Sequence, residues 1–241
     1  MTVGIIVQTR TGSSRLPAKV MMKADDKLLM IDYVIDQLKH SKLHDKMVIA
    51  TTDLKRDDVI FDHVANRNIP CFRGDEKNVL ERHYQCAKQY GFSTIIRIPS
   101  DKPLIDPTIV DSVIEKFQSN SYDYISNFSV DVNDNHKFIP SYPSGTEVEI
   151  FSFTALEDAW KNATSENDKE HVTAYIYSHP EKFNISILKS KKNLSQFRWA
   201  LDYENDLKLI RIIISKIEKR PILMNDILEL FEEEPDLTKI N

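Results

Sequence analysis

Short apolar runs alternate along the chain with longer stretches in which apolar residues recur at helical spacing. Val3–Gln8 is a compact apolar run. Leu28–Lys39 follows, with apolar residues at 28, 29, 31, 34, 35 and 38, the stripe of an amphipathic helix. The alternation continues through strand-like Met47–Thr51, helical Asp57–Arg67, strand-like Ile69–Phe72 and helical Val79–Tyr90, which Gly91 stops. Strand-like Thr94–Ile98, helical Pro107–Gln118 and strand-like Tyr122–Ser126 come next. Pro107 suits a first helical position, where a missing N–H costs nothing. This pattern predicts βαβ units: a mostly parallel sheet between two helical layers, a three-layer αβα fold.

The pattern changes after Ser126. Residues 127–144 are polar, contain Pro140 and Pro143, and show no period. They read as a long loop, and loops of that length in compact domains are often functional. Glu147–Phe151, Phe183–Leu188 and Phe197–Leu201 then read as strands. Phe153–Asn162, Lys169–Ser178, Asp206–Lys219 and Met224–Glu234 read as helices. No linker rich in Gly, Ser or Pro divides the chain, so residues 1–241 are expected to form one domain, with 127–195 as an excursion that shapes a site or a dimer contact.

Composition narrows the function. The 241 residues are 41% hydrophobic, ample for a core. No apolar run approaches roughly 18–20 residues, so no membrane-spanning helix is expected. The N-terminus reads as a strand and not as a signal peptide. Cys71 and Cys86 have no metal-binding spacing and suit reduced thiols of a cytoplasmic protein. A formal net charge of −5 leaves no general nucleic-acid footprint.

Against that acidic background one stretch stands apart. Before Asp25, the first acidic residue, the charged side chains are Arg10, Arg15, Lys19 and Lys23. They directly follow the first strand, where a doubly wound sheet places its ligand crevice. Gly12, Ser13 and Ser14 let backbone N–H groups approach phosphate oxygens, and Arg and Lys supply the countercharge. Neither a P-loop nor a dinucleotide fingerprint is present. The segment is a phosphate cradle or a solvated basic turn.

The residues Ile5-Ile6-Val7-Gln8-Thr9-Arg10-Thr11-Gly12-Ser13-Ser14-Arg15-Leu16-Pro17-Ala18-Lys19-Val20 resemble the nucleotide loop of the CMP-sugar synthetase superfamily. Within it the match is to cytidylyltransferases of the spore-coat polysaccharide biosynthesis type, with their Ala-Arg-x-Gly-Ser-x-Arg-Leu-Pro-Gly-Lys signature. Further blocks fall in the same order: Ala50-Thr51-Thr52-Asp53, then Phe72-Arg73-Gly74-Asp75 with Val79-Leu80-Glu81-Arg82. After them come Arg97-Ile98-Pro99-Ser100-Asp101-Lys102-Pro103-Leu104-Ile105-Asp106-Pro107, Gly145 to Phe151, Glu170-His171-Val172-Thr173 and Arg198-Trp199-Ala200-Leu201-Asp202. Two positions depart from the pattern. Ala18 stands where the family has Gly, and Lys102 follows Asp101 where Cys or a similar residue is usual.

The resemblance implies a nucleotide-diphospho-sugar transferase-like fold, CTP and a small-molecule acceptor as substrates, Mg²⁺ as cofactor, and a homodimer. It implies that Gln8, Arg10, Gly12, Ser13, Ser14, Arg15, Lys19 and Ser100 hold the nucleotide, with the base read near Thr51, Thr52, Asp53, Arg73, Gly74 and Asp75. Asp101 and Asp202 would bind the metal, and Arg10, Lys19 and Asp101 would be catalytic. Residues alone leave another reading open, in which Asp101 starts a turn and Asp202 caps the next helix. If the strands Thr94–Ile98 and Phe197–Leu201 are neighbours, the two carboxylates meet. Lys102, Glu147, Glu149 and His171 are the acceptor-side candidates. Lys102 equally suits solvent, Glu147 and Glu149 a solvated strand face, and His171 a helix surface. Residues 127–145 are the candidate lid or exchange surface, and Lys137 is a further cation for a phosphate or phosphonate acceptor.

Two other classes compete. A glycosyltransferase shares this architecture but usually carries Asp-x-Asp, and the nearest approach, Asp131-Val132-Asn133-Asp134, is one residue too long. A non-catalytic nucleotide sensor predicts loss of the loop lysine or the carboxylates, and both are present.

Overall fold

The computed structural model describes residues 2–131 and 137–241, with backbone alone at 130, 131, 137 and 138. Its strands are β1 (Val3–Gln8), β2 (Lys46–Thr52), β3 (Cys71–Gly74), β4 (Thr94–Pro99), β5 (Tyr124–Ser126), β6 (Phe128–Asp131), β7 (Lys137–Pro140), β8 (Glu149–Ser152) and β9 (Ile185–Ile187). Its helices are α1 (Met30–Leu38), α2 (Asp58–Asn66), α3 (Val79–Tyr90), α4 (Pro107–Gln118), α5 (Phe153–Asn162), α6 (Glu166–His171), α7 (Ala174–Tyr177), α8 (Glu204–Lys216) and α9 (Met224–Glu233).

Seven strands form the central sheet in the order β3-β2-β1-β4-β8-β5-β9. All neighbours are parallel except β8, which runs antiparallel between β4 and β5. Alternate strand residues face opposite helical layers. Ile5, Val7 and Ile49 pack with Val34, Ile60 and Val113 from α1, α2 and α4. Ile6, Val48 and Ile95 pack with Leu80, Leu156 and Ile176 from α3, α5 and α7. Burial on both faces is why these strands are apolar throughout and do not alternate. A third cluster joins α8 and α9 to Met30 and Tyr33 of α1 around Trp199. Among the described residues no helix is long and apolar enough to cross a membrane.

Local chemistry sets the helix ends. The Asn78 side chain accepts the Glu81 N–H at the start of α3, and Asp106 accepts the Thr108 N–H at the start of α4. Gly91 closes α3 in the left-handed conformation, φ 67°.

Three expectations need correction. Residues 127–144 are not structureless, because β6 and β7 pair antiparallel there. Residues 132–136, which hold most of the Asp131–Asp134 stretch and His136, lie outside the described residues, as does the Lys137 side chain. Phe197–Leu201 is not a strand of the sheet. β8 fills the place beside β4, so this segment crosses the strand ends, bridged to Ser144 through Arg198. Lys169–Ser178 is not one helix. It breaks at Val172, whose φ of 57° a β-branched residue rarely adopts, and gives α6 and α7.

The chain moves outward from β1 to β3 before returning to place β4 on the other side of β1. The switch point therefore lies between the carboxyl ends of β1 and β4, where α/β sheets bind ligands.

Candidate active site

The loop after β1 is folded by its own backbone and by one buried carboxylate. Thr11 O accepts the Ser13 N–H at 2.8 Å and the Ala18 N–H at 2.9 Å. Asp57, fully buried, accepts the Thr11 N–H at 2.7 Å and the Thr11 hydroxyl at 2.6 Å, and its other oxygen accepts the Thr52 hydroxyl. The sequence pattern marks Asp57 only as a helix start and carries no local sign of this anchor. Ala18 adopts φ 53° and ψ 24°, so alanine occupies the left-handed conformation that the family's glycine suits.

That turn delivers Lys19 to the switch point. Its Nζ donates to Leu201 O at 2.6 Å and to Asp202 Oδ1 at 3.0 Å, and reaches Asp101 Oδ2 at 3.4 Å. Asp101 and Asp202 thus meet through a lysine and through the Leu201 N–H, which donates to Asp101 O at 2.8 Å. Arg15 Nη2 reaches Asp202 Oδ1 at 2.7 Å, and its guanidinium lies 5.3 Å from the Tyr203 ring centroid. Arg198 Nη2 reaches Asp202 Oδ2 at 2.8 Å. Burial pushes the Asp202 carboxyl up, but Lys19 and Arg198 outweigh it and hold the group below the usual carboxylate range. Asp202 does not cap α8. Asp206 does so, accepting the Asp202 and Tyr203 N–H groups, each at 2.8 Å.

Two clefts open here and share Pro99 and Asp101. One, of ≈ 370 Å³, is lined by Gln8, Arg10, Gly12, Ser13, Ser14, Arg15, Lys19, Ser100 and Asp101. The other, of ≈ 250 Å³, is lined by Arg97, Lys102, Glu147, Glu149, Arg198 and Asp202. In the second cleft each cation has a carboxylate. Lys102 Nζ lies 3.1 Å from Glu147 Oε2, and Arg97 pairs with Glu149. Lys102 is buried and does not point to solvent. Burial raises the Glu147 pKa, yet the Lys102 ammonium and the Gly145 N–H bring it below its ordinary value. Glu149 accepts the Tyr124 hydroxyl at 2.8 Å and also the Thr173 hydroxyl. Neither carboxylate lies on a solvated strand face. A roomier cavity, ≈ 530 Å³, lies among Tyr142, Phe197, Met224 and Phe231, but its mostly apolar lining holds none of these groups.

Several expected residues are not gathered. His171 ends α6, is exposed, and lines neither cleft; its block contributes Thr173 instead. Thr51, Thr52, Asp53, Arg73, Gly74 and Asp75 also lie outside both linings. Arg73 is committed to Thr52 O, Leu54 O and Asp58, which tie β3 to the turn after β2. Asp75 accepts the Lys77 and Asn78 N–H groups ahead of α3. Arg97 and Arg198 open two of the family-like blocks but have no assigned role there, because the strand register and loop crossing that aim them are not written locally.

Could these groups hold a divalent ion? Among the described residues no cluster of three or more His, Cys, Asp or Glu gathers. The convergent pair Asp101 and Asp202 still suits Mg²⁺, which takes one or two carboxylates and completes its shell with phosphate and water.

A basic loop and a carboxylate pair at the switch point of an αβα sheet define a nucleotidyltransferase-like fold. The chain belongs to the cytidylyltransferase family, whose model matches residues 4–234. It is 33% identical over 238 residues to an uncharacterized protein of Methanocaldococcus jannaschii, covering 98% of this chain and 93% of that one. It is 29% identical over 239 residues to a spore coat polysaccharide biosynthesis protein of Bacillus subtilis, covering 96% and 94%. Among solved structures, a cytidylyltransferase from Leptospira borgpetersenii serovar Hardjo-bovis superposes with a TM-score of 0.90 at 26% identity, covering 99% and 97% of the two chains.

Proposed function

We propose that the chain transfers the cytidylyl group of CTP to an oxygen of a sugar or sugar-acid acceptor and releases pyrophosphate. The observation that carries this reading is the shared wall of the two clefts. Asp101 belongs to both, and Lys19 ties it to Asp202. A nucleotide in the first cleft and an acceptor in the second would meet there. The acceptor oxygen attacks the α-phosphorus, the bond to the bridging oxygen of the β-phosphate breaks, and the hydroxyl proton leaves to solvent.

Arg10, Arg15 and the Gly12–Ser14 backbone would bind the phosphates, with Lys19 offsetting charge on the transferred group. Asp101 and Asp202 would hold Mg²⁺, which when bound neutralises phosphate charge and activates the nucleophile. Gln8 and Ser100 would position the nucleotide from the strand ends. Glu147 and Glu149 would orient acceptor hydroxyls. The pairing of Lys102, Arg97 and Arg198 with carboxylates leaves no surplus cation among the described lining residues for a phosphate or phosphonate, which favours a hydroxyl nucleophile.

The test is pyrophosphate release from CTP and Mg²⁺ with a panel of sugars, sugar acids, phosphates and phosphonates. Turnover is expected with a hydroxyl acceptor, and Lys19→Ala or Asp101→Ala should lower it by about 10²-fold or more. Full activity in either variant removes that residue's role. Absence of both CTP binding and pyrophosphate release removes the reading.

A further inference from the structure

Arg82, on α3, is sealed inside the protein at 1% exposure. Its Nη1 donates to Asp75 O at 2.7 Å, and its stem packs so close to Gly74 that a Cβ there would come within 3.1 Å of Arg82 Cγ. Its Nε and Nη2 are buried with no hydrogen-bond partner among the described residues. Thr9 and Thr51, at the carboxyl ends of β1 and β2, hold buried hydroxyls in the same condition.

An arginine cannot escape such a position by losing its proton. Burial pushes the guanidinium down to about 10, Arg10 pushes the same way, and the group is still a cation at neutral pH. Asp57 and Asp75 act on it only through space. Buried charges are normally paired, because an unmade bond leaves the full desolvation penalty standing. Arg10, which acts on the Arg82 guanidinium through space, lines the nucleotide cleft, as does Thr9 with its unpartnered hydroxyl.

We propose that Arg82 is a nucleotide-binding residue, whose Nε–H and Nη2–H are completed by an oxygen acceptor of bound CTP. The assignment rests on the reading of this chain as a CTP-using transferase. The acceptor is the base carbonyl or a phosphate oxygen at the end of the nucleotide remote from Asp101. Both nitrogens are covered in the free protein, so binding also opens the wall that covers them.

The test uses the full chain and two variants, Arg82→Met and Arg82→Lys, in thermal melting and calorimetric titration. The ligands are CTP, cytidine and inorganic tripolyphosphate, each with Mg²⁺. Without ligand, R82M should melt higher than wild type by about 2 °C or more, because an unpaired charge has been replaced by an apolar chain of similar length. It should bind CTP about 100-fold more weakly, and R82K, which keeps the charge without the fork, should recover part of the loss. Loss of cytidine binding identifies the base carbonyl as the acceptor; loss of tripolyphosphate binding identifies a phosphate. An R82M protein that melts lower than wild type and binds CTP normally makes Arg82 a packing residue and overturns the assignment alone. Wild-type protein that binds no CTP overturns the functional reading together with it.

Discussion

Replacing Lys102 by Met tests whether the acceptor cleft rests on a buried ion pair. Lys102 Nζ donates to Glu147 O at 2.8 Å and lies 3.1 Å from Glu147 Oε2. The two side chains keep only 11% and 13% exposure. Met fills similar volume but leaves the Glu147 carboxylate, among the described residues, with backbone donors alone, the Gly145 N–H at 2.9 Å and its own N–H. Removing one partner of a buried pair costs about 3–5 kcal/mol, and the residual exposure argues for about 3. For a chain of this size that corresponds to a fall of about 6–12 °C in Tm. The loss should depend on pH. In wild type the Glu147 pKa is depressed, so its ionised form stabilises the fold above the unfolded-chain value of about 4.3 and that contribution fades as pH falls through the folded value. In the variant, burial acts without the ammonium, the folded-state pKa rises, and stability falls as pH rises through it. Denaturant unfolding should therefore show a small difference near pH 4 and the full difference by pH 8. K102M/E147Q should return to within about 1 kcal/mol of wild type at pH 8, since the uncompensated charge is gone. A difference that is constant with pH, or a double variant no better than the single, refutes the reasoning.

Two backbone predictions use the same unfolding measurement. Ala18→Gly removes a left-handed alanine, worth about 1–2 kcal/mol, and adds unfolded-state entropy worth about 0.4–1, so the variant should range from about equal to about 1.6 kcal/mol more stable. A clear loss of stability in A18G contradicts the strain. Gly145→Ala should destabilise by about 2 kcal/mol or more, because φ is +109° and the new Cβ would lie 2.8 Å from Trp199 Cδ1 and 2.9 Å from Ala200 N. Wild-type stability in G145A would mean that this backbone yields more easily than its packing suggests.

The α/β half of the fold was legible because β1, β2, β4 and β5 are buried on both faces and the helices on one. That difference writes itself into the sequence as apolar runs against apolar stripes, and α3 and α4 begin and end where the sequence places them. After Ser126 the strands become short. Phe197–Leu201 has the apolar content of a strand, yet the position beside β4 goes to β8. Its backbone bonds go instead to Ser144 and Asp101. Nothing local records that competition. The break at Val172 is equally silent, because valine in that conformation persists only when its surroundings impose it.

The candidate site divides along the same line. The loop from Gln8 to Lys19 is contiguous, so its charge and small residues made it a candidate phosphate cradle, and every one of its nominated residues lines the first cleft. The convergence of Asp101 and Asp202 was expected from neighbouring strands and arises instead from a crossing segment held by Lys19. The geometry is similar and the cause is different. The base-reading block stands apart from both clefts. Arg73 bonds to two backbone carbonyls and Asp58, whereas Arg82, one helical turn inside α3, keeps two donors unmade among the described residues. Sequence position cannot separate a satisfied arginine from an unsatisfied one. Hydrogen-bond accounting can, because a buried donor without a partner is a cost that a fold of marginal stability retains only where something else offsets it.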